Sequence, residues 1–333
     1  MKKIGYLGSG AWGICLANLL AGNGHDVQVW SIEEDVLKYL QDNGEHPKFP
    51  GIPVEKTLRY TTDLQEVLEG KDIIVESVTT SGFRSVLKQI FTLKKEIPPF
   101  IITSKGIEKG TGMLLPEVAL EAFGEKNRSK IGCLTGPSLA KEVMQRMPAS
   151  VVAAAFDKGL MHETHQIFTN PYFRVYPNND VMGAAFGGAM KNIIAIACGI
   201  SDGLGYGQNA KAALLTRGLH EIRKLAPVKN CRPETINGLA GLGDLVTTCL
   251  SSLSRNYTFG NLLSKGSDSE HAKQNIGMVV EGAFTCVAAK ELGERHGIPL
   301  PITEAIFSII YEHLDPKKAV EALLTREIKE EHL

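Results

Sequence analysis

Lys191 is the one charged residue in the otherwise apolar run 183–197, Gly-Ala-Ala-Phe-Gly-Gly-Ala-Met-Lys-Asn-Ile-Ile-Ala-Ile-Ala. Burial disfavours an ammonium ion, so a lysine enclosed in such a run drops from its ordinary pKa of about 10.4 and can both give and take a proton. The competing reading is a lysine that snorkels from a helix edge, the ordinary fate of this side chain. Small residues ahead of it, which admit a neighbouring segment, and Asn192 beside it favour chemistry.

A second feature supplies a reaction for that proton. Gly8-Ser9-Gly10-Ala11-Trp12-Gly13 fits G-x-G-x-x-G, behind a short apolar run and ahead of helical spacing. Alone the pattern is weak; between strand and helix it is the dinucleotide fingerprint, with the diphosphate resting on the helix N-terminus. A nicotinamide dinucleotide and a proton-exchanging lysine together make a centre for hydride transfer to a carbonyl. A third stretch, Gly238 to Asp244, is read as a glycine-rich loop in which Asp244 orients a lysine or a substrate hydroxyl. Ser254-Arg255-Asn256 carries donors for a phosphate, arginine being the bidentate partner; the plainer reading is a helix cap. Ser104-Lys105-Gly106 and Gly136-Pro137-Ser138 lie at predicted strand ends, where sheets of this kind bind ligands. After the second strand, Ser31 is neutral, Ile32 apolar, and Glu33 and Glu34 come late, so the choice between NAD and NADP stays open.

These groups need a scaffold, and the pattern predicts one. Strands are expected at 3–7, 27–30, 72–78, 100–103, 131–134, 150–154 and 173–176, with helices at 11–21 and 83–91 among them. Alternating strands and helices imply an α/β architecture, a mostly parallel doubly wound sheet of Rossmann type. Beyond about Asn179 β-branched runs become rare, and 184–199, 209–225, 282–297 and 302–311 read as helices. Two domains are expected: residues 1–179 for the dinucleotide and an all-helical C-terminal domain over 180–333 for substrate and catalysis.

Composition sets outer limits. The 333 residues are 43% hydrophobic and 22% charged, which supports a large core. A formal net charge of -1 gives no general attraction to nucleic acid or to an anionic membrane. The start lacks the apolar run of a secretory leader, and no stretch reads as a membrane span. Cys15, Cys133, Cys198, Cys231, Cys249 and Cys286 are scattered without a C-x-x-C pair, as expected for reduced thiols in the cytoplasm. His162-Glu163-Thr164-His165 is one residue short of a zinc motif and reads as a solvated helix face, so no metal is expected.

The longer motifs carry a family resemblance. Gly187-Gly188-Ala189-Met190-Lys191-Asn192, the run from Gly199 to Gly218, Gly136 to Glu142, Gly238 to Asp244, Ser254-Arg255-Asn256 and Val280-Glu281-Gly282 resemble the bacterial NAD(P)-dependent glycerol-3-phosphate dehydrogenases, in order and over nearly the whole chain. The resemblance implies reversible reduction of dihydroxyacetone phosphate to sn-glycerol 3-phosphate with NAD(H) or NADP(H), feeding glycerophospholipid synthesis, by a cytoplasmic homodimer. It implies Lys191 as proton donor and acceptor. Lys105, Gly136, Ser138, Lys191, Asp244, Ser254, Arg255 and Asn256 would line the substrate. Gly8, Gly10, Ala11, Trp12, Gly13, Lys105, Ala140, Arg255, Val279 and Glu281 would face the cofactor. Departures are Ala11 for the usual serine, Val78-Thr79-Thr80 for Val-Pro-Ser, Ala185 for a common glutamate, and Ile32 for a basic residue. The second of these is expected to loosen its loop slightly, and the last weakens the case for NADPH. Two other functions compete: a related dehydrogenase of non-phosphorylated hydroxy acids, against which Arg255-Asn256 argues, and a non-catalytic dinucleotide sensor, which needs neither Lys191 nor Asp244.

Overall fold

The computed structural model describes residues 1–277, 279–328 and 330–331. The N-terminal part alternates strands and helices: β1 (Lys3–Leu7), α1 (Ala11–Gly22), β2 (Asp26–Trp30), α2 (Glu34–Asn43), β3 (Arg59–Thr61), α3 (Leu64–Leu68), β4 (Ile73–Glu76) and α4 (Thr80–Leu93). It continues with β5 (Phe100–Ile102), α5 (Leu115–Phe123), β6 (Ile131–Thr135), α6 (Ala140–Met144), β7 (Ala149–Ala155), α7 (Lys158–Phe168) and β8 (Phe173–Asn178). The strands form one sheet in the order β3-β2-β1-β4-β5-β6-β7-β8. Every neighbouring pair is parallel except β6 with β7. The order turns back between β1 and β4, and such a switch point opens a crevice at the strand carboxyl ends.

Burial on both faces explains the apolar strands. Ile4, Tyr6, Val27, Val29, Ile73 and Val75 pack on one side with α1, α2 and α7; Leu7, Trp30, Ile74, Phe100 and Ile102 pack on the other with α4 and α5. Along β4 this alternation places the last residue, Glu76, on the α4 and α5 side, wholly buried. Strand β3 was not anticipated. It is three residues long, half exposed and at the sheet edge, so its sequence carries almost no buried-strand pattern.

The rest is helical among the described residues: α8 (Val181–Gly203), α9 (Gln208–Leu225), α10 (Pro233–Asn237), α11 (Asp244–Cys249), α12 (Arg255–Ser264), α13 (Ser269–Ile276), α14 (Glu281–His296), α15 (Pro301–Tyr311) and α16 (Pro316–Leu324). The axis of this part is α8, long and apolar enough by composition to cross a bilayer, yet 89% buried over its most apolar window. Its partners wrap it because glycines remove side chains where backbones meet. A Cβ on Gly199 would lie 2.0 Å from the Tyr257 carbonyl oxygen, and one on Gly260 2.0 Å from that of Ile196, so α8 and α12 touch backbone to backbone.

One reading of the sequence is corrected. The stretch 238–244 is not a glycine-rich loop: Leu239–Gly243 is a turn of π-helix running into α11, whose first residue is Asp244. Its glycines answer to packing, since a Cβ on Gly241 would sit 2.0 Å from the Ile236 carbonyl oxygen.

Candidate active site

The fingerprint glycines perform three separable tasks. Gly8 has φ +110, a backbone that side chains rarely adopt, and turns the chain tightly out of β1. A Cβ on Gly13 would lie 2.4 Å from the Gly8 carbonyl oxygen, which brings α1 onto the turn. Around Gly10 a Cβ would meet nothing, leaving open space over the start of α1. That helix begins without a side-chain cap or an acidic residue in its first turn. Its amide hydrogens and partial positive charge thus face a space shaped for a diphosphate. A dinucleotide fits the residues present. Trp12 and Ala140 pack beside each other's elements at the edge of the apolar core, and Cys15 Sγ meets the Ala140 carbonyl oxygen at 3.4 Å.

The residues after β2 bear on the choice of dinucleotide. The Ser31 hydroxyl is buried and turned inward, accepting from Ser9 Oγ at 2.7 Å and from the Glu33 amide at 3.1 Å. Ile32, 80% exposed, and the exposed Glu33 and Glu34 are what this stretch offers to solvent.

The centre around Lys191 is built across the two parts of the chain. Gly187 stands one helical turn before Lys191, on the same face of α8. Having no side chain, it admits the 240–241 backbone, to which a Cβ would come within 2.6 Å of the Ala240 carbonyl oxygen. The turn then delivers Asp244 to Lys191: Nζ donates to Asp244 Oδ1 at 2.5 Å and to Thr248 Oγ1 at 2.7 Å. A Cβ on the next residue, Gly188, would lie 2.6 Å from Thr135 Oγ1 and in ordinary contact, at 3.5 Å, with the stem of Lys105. Lys105 Nζ donates to Asp244 Oδ2 at 2.6 Å and to the Gly136 carbonyl at 3.2 Å, and that carbonyl also accepts from Ser138 Oγ at 2.9 Å. Gly136 has φ +139, so its carbonyl direction depends on a backbone favouring glycine.

Asp244, 1% exposed, is therefore shared by two ammonium groups. Lys191 is 7% exposed, which rules out a snorkelling helix-edge lysine. Burial brings its pKa down to about 8; the second cation, Lys105, pushes the same way, and Asp244 opposes both. A lysine tuned to this range exchanges protons readily near neutral pH.

Ser254-Arg255-Asn256 forms the start of α12, and Ser254 does cap that helix, accepting from the Tyr257 amide at 3.3 Å. Asn256 is drawn inward: Nδ2 donates to Asn192 Oδ1 at 3.0 Å, and Oδ1 accepts from the Gly282 amide at 2.9 Å. It thus braces the residue next to Lys191. Arg255 remains exposed, its Nη1 3.4 Å from the Val279 carbonyl oxygen. Glu281, at the start of α14, accepts from the Thr80 amide at 3.3 Å and so reaches across to the first residue of α4. Burial raises the Glu281 carboxyl above the usual range.

The structure therefore joins Lys105, Gly136, Ser138, Lys191 and Asp244 directly, links Asn256 to them through Asn192, and places Arg255, Val279 and Glu281 in a neighbouring group. Two residues were missed. Thr248 was legible once Asp244 is on a helix, because i and i+4 share a face. Glu76 had a plain signal, an acid ending the apolar run Ile73-Ile74-Val75.

Known proteins resemble this chain over its whole length. The N-terminal and C-terminal profiles of the NAD-dependent glycerol-3-phosphate dehydrogenase family match residues 3–161 and 180–321. The chain is 54% identical over 333 residues, all of both chains, to Glycerol-3-phosphate dehydrogenase (NAD(P)+) of Protochlamydia amoebophila. It is 51% identical to the protein of that name from Chlamydia pneumoniae, over 100% of this chain and 99% of the relative. The crystal structure of glycerol-3-phosphate dehydrogenase from Coxiella burnetii superposes with a TM-score of 0.93 at 38% identity, over 98% of this chain and 99% of that one.

Proposed function

The chain belongs to the NAD-dependent glycerol-3-phosphate dehydrogenase family, and from that premise we propose how its residues divide the work. It is an NAD(P)-dependent oxidoreductase that interconverts dihydroxyacetone phosphate and sn-glycerol 3-phosphate. The glycine turn with Trp12, Ala140, Val279 and Glu281 would hold the dinucleotide, which when bound in its reduced form would supply a hydride for the substrate C2. As the C2–O double bond opens, Lys191 Nζ gives its proton to the oxygen; in the reverse direction the neutral amine takes it back. Asp244 and Thr248 fix Nζ in one position and Lys105 reduces its hold on the proton. Ser138 and the Gly136 backbone border the substrate, and Arg255 at the head of α12 takes the phosphate. Asn256 supports this through Asn192.

The observation that carries the reading is the single buried carboxylate bridging Lys191 and Lys105. Residues 1–179 are proposed as the dinucleotide domain and 180–333 as the catalytic domain, supported by the end of β8 at Asn178 and the start of α8 at Val181. A supply role in glycerophospholipid synthesis, a homodimer and a cytoplasmic setting follow from the resemblance, and six free, buried cysteines are consistent with reducing surroundings.

Substrate choice tests the assignment. Oxidation of the reduced nicotinamide is followed by absorbance with dihydroxyacetone phosphate and with dihydroxyacetone. Charge-assisted bonds contribute roughly 1.5–3 kcal/mol each, so the unphosphorylated ketone is expected to be nearly inert. Equal catalytic efficiency on both would remove Arg255 from its assigned role.

A further inference from the structure

Glu76 is an anomaly in a well-packed sheet. It is 0% exposed at the carboxyl end of β4, beside the switch point. Its Oε1 accepts from the Val78 amide at 2.5 Å and from Ser104 Oγ at 2.7 Å, while Oε2 has no partner at all. The same hydroxyl lies 2.5 Å from the Val78 carbonyl, so its single hydrogen is shared between the two oxygens. Buried polar atoms are normally satisfied, and an orphaned one calls for a function. The two loops joined here are the ones that matter: 77–80 leads into α4, whose first amide reaches Glu281, and Ser104 precedes Lys105. They press on each other closely, since a Cβ on Gly106 would stand 2.3 Å from Thr80 Oγ1.

We propose that Glu76 is a positioning residue for the substrate end of the site, a buried latch that ties the turn after β4 to Ser104 and thereby sets the backbone from which Lys105 reaches Asp244 and Gly136. The turn carries no proline, and its amides are held by carboxyl groups instead, Val78 by Glu76 and Thr80 by Glu281. The latch works as a neutral acid. Oε2 meets no donor, so nothing stabilises a negative charge on that oxygen. Burial is the main reason, raising the carboxyl to about 8; Glu281, facing it from α14, adds repulsion, and the Ser104 and Val78 donors only partly offset these. Tyr6 on β1, on the opposite face of the sheet, stays a neutral phenol bound to Ser77, and Arg255 balances Glu281 from α12.

The inference rests on Lys105 holding substrate, so the experiment tests both separately, in the full chain with the fold followed by circular dichroism. Lys105→Met is expected to raise the KM for dihydroxyacetone phosphate or lower kcat; no change in either overturns the role of Lys105 itself. Glu76→Val, with Ser104→Ala as the milder variant should valine fail to fold, is expected to raise that KM about tenfold, equivalent to 1.4 kcal/mol. Cofactor Kd, measured by fluorescence quenching, should change less than twofold. Glu76→Gln keeps the accepting oxygen and is always neutral, so KM should return to within about twofold of wild type. Its thermal stability should also lose one pH dependence. A carboxyl whose folded pKa is raised holds an extra proton in the folded state, so stability falls as pH climbs from the ordinary carboxylate range through about 8. That slope should be shallower in Glu76→Gln than in wild type. A normal KM in both Glu76→Val and Ser104→Ala, while Lys105→Met is impaired, overturns the latch. A KM in Glu76→Gln as poor as in Glu76→Val, or an unaltered pH slope, overturns the neutral acid.

Discussion

The glycine turn and the lysine–aspartate centre are two binding devices made in opposite ways. The first is six consecutive residues, Gly8 to Gly13, and it works through backbone: a positive φ, a bare face and a close approach. The second takes Lys191 and Asp244 from 53 residues apart and Lys105 and Asp244 from 139 apart, and it works through three side-chain heads around one carboxylate. A backbone device tolerates exchange of side chains that point elsewhere, as alanine at position 11 illustrates. A side-chain device depends on single atoms held in register by packing, with glycines 187 and 188 clearing the way.

The contrast breaks most visibly at Lys191. Lys191→Ala should cut kcat by about 10²–10⁴-fold, the usual contribution of a general acid–base group, with cofactor Kd unchanged. Lys191→Arg should fail as well, since a guanidinium does not release its proton near neutral pH. In the wild type, reduction needs the protonated lysine, so its rate should fall as pH rises through about 8 while oxidation gains. Stopped-flow single turnovers across pH check the sign; more than about a tenth of wild-type activity in the alanine variant would take the acid elsewhere.

Gly10→Val probes the other device. Its backbone is extended, φ -61 and ψ 168, and a Cβ there meets nothing, so the variant should fold with a near-normal Tm. The branched side chain would occupy the space over α1 and weaken dinucleotide binding at least about tenfold, or 1.4 kcal/mol, with catalysis at saturating cofactor largely retained. A valine variant that binds NADH normally would show that the open face is not the diphosphate seat.

The smallest effect is expected where neither device is committed. With Ser31 turned inward and Ile32 exposed, the adenosine end offers a 2′-phosphate no cation at position 32, and the wild type should use both reduced nicotinamides. Ile32→Arg should move the ratio of kcat/KM values towards NADPH by up to about tenfold per 1.4 kcal/mol gained. A wild-type ratio beyond about a hundredfold, roughly 2.7 kcal/mol, would mean that discrimination lies outside this loop.

Much of this molecule is readable without coordinates, and the reason differs by region. Strands β1, β4, β5 and β6 are buried on both faces, so their apolar runs announce them; β3, short and at the edge, does not. The cofactor turn is local, hence visible as a pattern. Lys191 stands out because an ammonium amid apolar residues is costly, and its helix is legible from its composition.

What the sequence leaves open is set by contacts between distant segments. Glycines 238, 241 and 243 suggest a loose loop on composition alone; the packing of Gly241 against the Ile236 carbonyl and Gly187 of α8 holds the stretch as a helical ramp for Asp244. Asn256 carries phosphate donors by type, yet Asn192 and Gly282 turn it inward. The proton affinity of Lys191 is likewise a tertiary quantity, the balance of burial and Lys105 against Asp244. Residue type and local spacing determined which chemistry this chain can do; the close approach of backbones at Gly187, Gly199 and Gly260, where a Cβ would fall within 2.6 Å of a carbonyl oxygen, decided which groups meet to do it.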